Sequence, residues 1–117
     1  MADVTTDAQK YLDQFHGLIQ RLGKEDPDFA GALMEFVKQA EKPGALTTKT
    51  KELISVALGV AACCPFCIAF HVKNAIAEGA TKKEILESCL VAALMGGGPA
   101  VAYIRYAVDA CDQFGAK

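Results

Sequence analysis

The chain has no segment that alternates apolar and polar residues long enough to make a strand, which excludes a sheet-based fold. It has no cluster of basic residues: Lys and Arg are scattered, and the net charge is −2, so there is no nucleic-acid footprint. Its run of three glycines, Gly96 to Gly98, lacks the Lys-Ser/Thr that would follow in a nucleotide loop, and no strand precedes it. A tight interhelical turn is the expected role. The opening residues Met1 to Lys10 carry two aspartates and no apolar stretch, so the reading includes no secretory signal. Five cysteines without such a signal point to a reducing, cytoplasmic setting. There, a close cysteine pair serves catalysis or metal binding more readily than it serves as a staple.

Apolar content, by contrast, is high for 117 residues, at 52% with a mean hydropathy of +0.21. A chain of this length is expected to form one domain, 1–117, and small domains keep much of their surface wet. The surplus therefore calls for a cover. Leu53 to Val72 is free of formal charge over twenty residues, enough on length alone to cross a bilayer of ~30 Å. Pro65 and His71 interrupt that run, and the glycine turn with Pro99 interrupts a second, Leu90 to Ile104. Both fit the ends of buried helices flanking a turn. A homo-oligomer is expected rather than a membrane protein.

The punctuation is helical throughout. Thr6 is a cap for a first helix that Gly23 would stop. Asp26-Pro27 opens a second helix that ends before Pro43. Thr47 or Thr48 opens a third, Cys64-Pro65 a fourth ending at Gly79, and Thr81 with Glu84 a fifth through a capping box. A sixth follows Pro99 and stops at Gly115. The fold class is all-α, a compact bundle of about six helices.

The chemistry concentrates in Cys64-Pro65-Phe66-Cys67-Ile68-Ala69-Phe70-His71. At about 100° per residue, Cys64, Cys67 and His71 share one helix face. A thiolate, not a thiol, attacks a peroxide or a disulfide, and a free cysteine with a pKa of about 8.5 is mostly protonated at neutral pH. The helix N-terminus favours negative charge at Cys64, while His71, one turn beyond Cys67, is placed to take the Cys67 proton. The residues alone leave open which sulfur attacks; a base in contact favours Cys67. Glu52 is the only acid between Glu41 and Glu78. It either reaches His71 from an antiparallel neighbour or lies exposed in the first turn of its helix, and local pattern favours the exposed reading. Cys64, Cys67 and His71, with Cys63 or Glu52, also make a candidate metal set, although only one close cysteine pair exists where structural zinc usually draws on two. Cys63 reads as small buried filler, Cys89 and Cys111 as core or interface residues, His16 as a surface or interface residue, and Tyr103 and Tyr106 beside Arg105 as packing aromatics rather than a pocket lining.

The spacing Glu52, eleven residues, Cys64-x-x-Cys67-x-x-x-His71 resembles the carboxymuconolactone decarboxylase superfamily, and most of all its alkylhydroperoxidase D-like branch. The stretch LTTKTKELISVALGVAACCPFCIAFHVKNAIAEGATKKEILE carries the likeness, which extends over about residues 30 to 110. It implies an all-helical subunit in trimers or hexamers and thiol peroxidase activity on a hydroperoxide. It also implies that Cys67 attacks, Cys64 resolves, and Glu52 with His71 relays the proton. The reductant would be a dithiol carrier, such as a lipoylated or thioredoxin-like protein, and no cofactor is required. The resemblance thereby brings Glu52 into the site. The best-known peroxidases of that branch carry a histidine between the cysteines where this chain has Phe66. The superfamily's other activity, on lactones and carboxylates, does not rely on a cysteine pair.

Overall fold

In the computed structural model, which describes residues 5–117, helix initiation follows the caps written into the chain. The first four residues of the stretch read for a leader lie outside the described residues. Helix α1 (Ala8–Glu25) is capped by Asp7, whose carboxylate accepts from the Lys10 amide. The expected cap, Thr6, is instead drawn to the far end of the chain, where its amide and hydroxyl both donate to Asp109 Oδ2 at 2.8 Å. Nor does Gly23 stop α1. The helix continues to Asp26, whose amide closes α1 on the Leu22 carbonyl while its carboxylate caps α2 (Pro27–Glu41) by accepting from Phe29 N. An interior glycine costs a helix only about 1 kcal/mol, which a cap of this kind offsets.

Helix α3 (Thr48–Ala61) starts on Thr47, α4 (Pro65–Ala77) on Cys64 with Pro65 at its first position, and α5 (Lys82–Gln113) on the Thr81–Glu84 capping box. The five helices account for all regular structure among the described residues. Helix α5 is not a single rod. Gly97 sits at φ 66° and ψ −152°, and Lys82 Nζ meets Asp112 Oδ1 at 2.6 Å although the two are 30 residues apart. A straight helix would separate them by about 45 Å. The helix therefore doubles back at the glycine turn into two limbs, 82–96 and 98–113, so the bundle has six helical segments. Pro99 is harmless there because it lies in the first turn of the second limb. By length and composition α5 alone among the described helices is apolar enough to cross a membrane. Folded in two, each limb reaches only about 22–24 Å.

The core lies where α3, α4 and both limbs of α5 meet. Val56, Val60, Ile68, Val72, Ile85 and Cys89 are all completely buried. Cys89 and Cys111 are core residues, as expected; burial pushes the Cys89 thiol up to about 12 and the Cys111 thiol up to about 11, so neither offers a thiolate at neutral pH. Tyr103 stacks on Tyr106 at 5.1 Å between centroids, and Tyr106 meets Tyr11 edge-on, which makes them packing aromatics. Helix α2 buries no residue at all.

Candidate active site

Two helices build the site. Helices α3 and α4 run antiparallel, so that Glu52 in the second turn of α3 faces His71 deep in α4, and Gly59 near the end of α3 faces Cys67 near the start of α4. The close approach at the cysteine end depends on Gly59: a Cβ there would come within 3.3 Å of Cys67 Cβ and 3.4 Å of the Ile68 amide nitrogen.

The link between α3 and α4 is a tight left-handed stop. The Cys64 amide donates to the Gly59 carbonyl and the Cys63 amide to the Val60 carbonyl, with Cys63 at φ 55°. This is the Schellman arrangement, in which the left-handed residue is usually glycine. The same pair of bonds recurs after α4 with Gly79 in that seat, and the longer of the two recurs after α5, from the Ala116 amide to the Cys111 carbonyl across Gly115. A side chain in the left-handed region costs about 1–3 kcal/mol. Cys63 is therefore half-exposed in a turn, not the buried filler that its apolar neighbours suggest.

The turn delivers Cys64 to the cap position of α4. Its sulfur accepts from the Cys67 amide at 3.2 Å, and Cys64 and Cys67 are joined in a disulfide with their Cα atoms 5.3 Å apart. Both are half-buried. Only Cys67 opens, with His71, onto a cleft of about 280 Å³ whose other walls are Ser55, Leu58, Gly59 and Ala62. Phe66 turns away from this cleft and meets Tyr11 of α1 edge-on at 5.2 Å. His16 is exposed on α1.

Glu52 is 1% exposed, and its Oε2 lies 2.8 Å from His71 Nδ1. The exposed reading that local pattern favours is thus wrong for Glu52. The physical reason is the antiparallel pairing, which turns the second turn of α3 inward. A carboxylate can only accept, so Nδ1 carries the proton of this bond and Nε2 is left as the ring's proton acceptor. One member was missed by sequence reasoning. Glu41, the last residue of α2, places Oε1 3.9 Å from the same Nδ1. Burial, and then the Glu52 carboxylate beside it, raise the Glu41 carboxyl above its ordinary value, with His71 pulling the other way. No local signal marks Glu41, since its part depends on where the end of α2 lands.

The candidate metal set is not assembled as expected, because its two sulfurs are bonded to each other. The side chains that converge are Glu41, Glu52 and His71, whose ligand atoms lie within 4.8 Å of one another.

Known proteins share this architecture. A crystal structure of a carboxymuconolactone decarboxylase family protein from Legionella pneumophila superposes with a TM-score of 0.88 at 36% identity, covering 92% of this chain and 96% of that one. A family member from Thermotoga maritima, described with a possible involvement in antioxidative response, matches with a TM-score of 0.78 at 25% identity, over 89% and 88% of the two chains. An uncharacterised protein of Cupriavidus necator is 33% identical across 97% of this chain and its own full length. The model of the carboxymuconolactone decarboxylase family matches residues 27–110, from the first turn of α2 to the last turns of α5, with Glu41, Glu52, both bonded cysteines and His71 inside the match. On these grounds the chain belongs to the carboxymuconolactone decarboxylase family.

Proposed function

We propose that this protein is a thiol-dependent peroxidase of the alkylhydroperoxidase type, cycling Cys64 and Cys67 between dithiol and disulfide. The observation that carries this reading is the bonded cysteine pair whose Cys67 end shares an open cleft with a histidine anchored on a buried carboxylate.

In the reduced protein, His71 takes the Cys67 proton. The Cys67 thiolate attacks the distal oxygen of a hydroperoxide, the O–O bond breaks, and the alkoxide takes the proton back from His71 to leave as an alcohol. Cys67 is then a sulfenic acid. The Cys64 thiol displaces its hydroxyl, forming the disulfide and one water, so two electrons have passed from the dithiol to the peroxide. An external dithiol, such as a lipoylated or thioredoxin-like protein, returns them. Its thiolate attacks Cys67, the sulfur on the cleft, and Cys64 leaves. The amide bond onto the Cys64 sulfur and the N-terminal end of α4 stabilise the departing charge.

The test is stopped-flow peroxide reduction by pre-reduced protein, with mass spectrometry for the bridge. One equivalent of peroxide consumed per Cys64–Cys67 bridge is expected, and loss of peroxide without a bridge, or none at all, overturns the reading. A decarboxylase acting on a lactone remains the family's other activity; it would survive replacement of both cysteines, which this reading does not.

We further propose that copies of the chain associate as trimers or hexamers. Ile54 and Leu58 of α3 and Leu90, Val91, Leu94 and Met95 of α5 are exposed, the last two by 81% and 85%. Leu94→Glu with Met95→Glu is expected to lower the mass measured by light scattering to that of a monomer, at 12.4 kDa. An unchanged mass, whether oligomer or monomer in both proteins, sinks the assignment of this face.

A further inference from the structure

We propose that Glu41 is a positioning residue of the peroxidase site, whose negative charge beside His71 sustains the Cys67 thiolate. The inference rests on the reading of Cys67 as the attacking sulfur, but its test does not need peroxide.

The geometry sets Glu41 apart from an ordinary surface acid. Two carboxylates from two different helices converge on one ring nitrogen, Glu52 at 2.8 Å from inside the bundle and Glu41 at 3.9 Å from its edge. The Glu41 side chain is 25% exposed and that of Glu52 1%, so of the two carboxylates Glu41 is the one in touch with water. When His71 accepts the Cys67 proton, the ring becomes an imidazolium between two carboxylates. Glu52 alone would neutralise one positive charge. Glu41 adds a second negative charge close enough to favour the protonated ring, and hence the deprotonated sulfur in the same cleft.

Other charged and titratable groups stand on the helices around the trio. On α2, Lys38 is exposed in the last turn, and Lys42 just beyond donates to Gln39 Oε1. On α3, Lys51 donates to the Lys42 carbonyl, and Lys49 pairs with Glu84 of α5. On α1, His16 lies against Phe70, with 6.4 Å between ring centroids. On α4 itself stand Cys64, Cys67 and Lys73, whose ammonium lies over the Phe114 ring at 4.8 Å from its centroid. Among the described residues, the ion-pair partners within 4 Å of His71 Nδ1 are the two glutamates.

This arrangement has a cost that separates function from structure. Burial and the neighbouring Glu52 raise the Glu41 carboxyl, so its charged form is disfavoured in the folded protein. For an acid raised in this way, the contribution to stability is full below the ordinary carboxylate value and is lost as pH climbs through the raised one. Glu41→Gln, which keeps the shape and removes the charge, should therefore melt at a higher temperature than the parent at neutral pH. That advantage should shrink as pH falls into the ordinary carboxylate range.

The experiment measures alkylation of Cys67 by iodoacetamide in pre-reduced protein carrying Cys64→Ser, with and without Glu41→Gln, from pH 5 to 8, beside thermal melts of both. A unit charge removed at this distance is expected to slow alkylation near neutral pH by about five- to tenfold. In the parent the rate should fall on the acid side as Glu41 takes up its proton, and in the variant that extra fall should vanish. Glu41→Asp should restore part of the rate. Slower alkylation with an unchanged or raised melting temperature upholds the proposal. An unchanged rate, or a slower one accompanied by a lower melting temperature, overturns it. If peroxide is not reduced yet alkylation still slows in the variant, the peroxidase reading fails and the role of Glu41 stands.

Discussion

Cys67→Ser is expected to abolish peroxide consumption by the pre-reduced protein, while Cys64→Ser completes one turnover and stops. The asymmetry follows from the cleft: Cys67 and His71 share its wall, and Cys64 does not. With Cys67 gone, the remaining sulfur of the pair sits at the cap of α4, away from the base. With Cys64 gone, Cys67 attacks as before, but its sulfenic acid finds no resolving thiol and accumulates, where a dimedone adduct at Cys67 reports it by mass. Serine is itself a favoured helix cap, so Cys64→Ser keeps the start of α4, and a folding defect does not confuse the outcome. If Cys64→Ser is the silent variant and Cys67→Ser forms the adduct, the assignment of the two sulfurs is reversed.

The second large effect is expected at Glu52. Glu52→Gln should lower kcat/KM for peroxide by about 10²–10⁴-fold, the range for a misdirected general base. The side chain is buried against Nδ1, and only a carboxylate is confined to accepting there. The glutamine amide can rotate to donate, which moves the ring proton to Nε2 and removes the acceptor that Cys67 needs. The thermal melt of this variant should stay near the parent's, since volume and hydrogen bonding are kept. His71→Ala should behave differently, costing about 3 kcal/mol of stability, because it strands the buried carboxylate without its partner. Chemical denaturation of the two variants side by side separates charge from packing. Equal activity in Glu52→Gln and the parent would remove Glu52 from the relay.

Much of this was legible in the chain because it is local. A cap is set by one residue and the amide three positions on, so Asp26, Thr47, Cys64 and Thr81 open their helices as read. The shared face of Cys64, Cys67 and His71 is likewise a matter of helical spacing. Where two neighbours could both serve, remote contacts decided: Thr6 and Asp7 are equally good caps, and Asp109, 103 residues away, withdrew Thr6. Glu52 was legible only through the resemblance, since an acid near the start of its helix reads by local pattern as exposed. Glu41 was not legible, because its approach to His71 is made by the tertiary path of α2 and not by any spacing along it. Cys63 misled for a related reason: its composition says core, and the turn that holds it demands the left-handed seat.

The sulfur of Cys64 does double duty, receiving the backbone bond from Cys67 while bonded to the Cys67 sulfur. A thiolate is a far better hydrogen-bond acceptor than a disulfide sulfur. In the proposed cycle Cys64 is such a thiolate at the moment the reductant opens the bridge, so the first turn of α4 is gripped most firmly just then, and the grip eases once Cys64 takes up its proton.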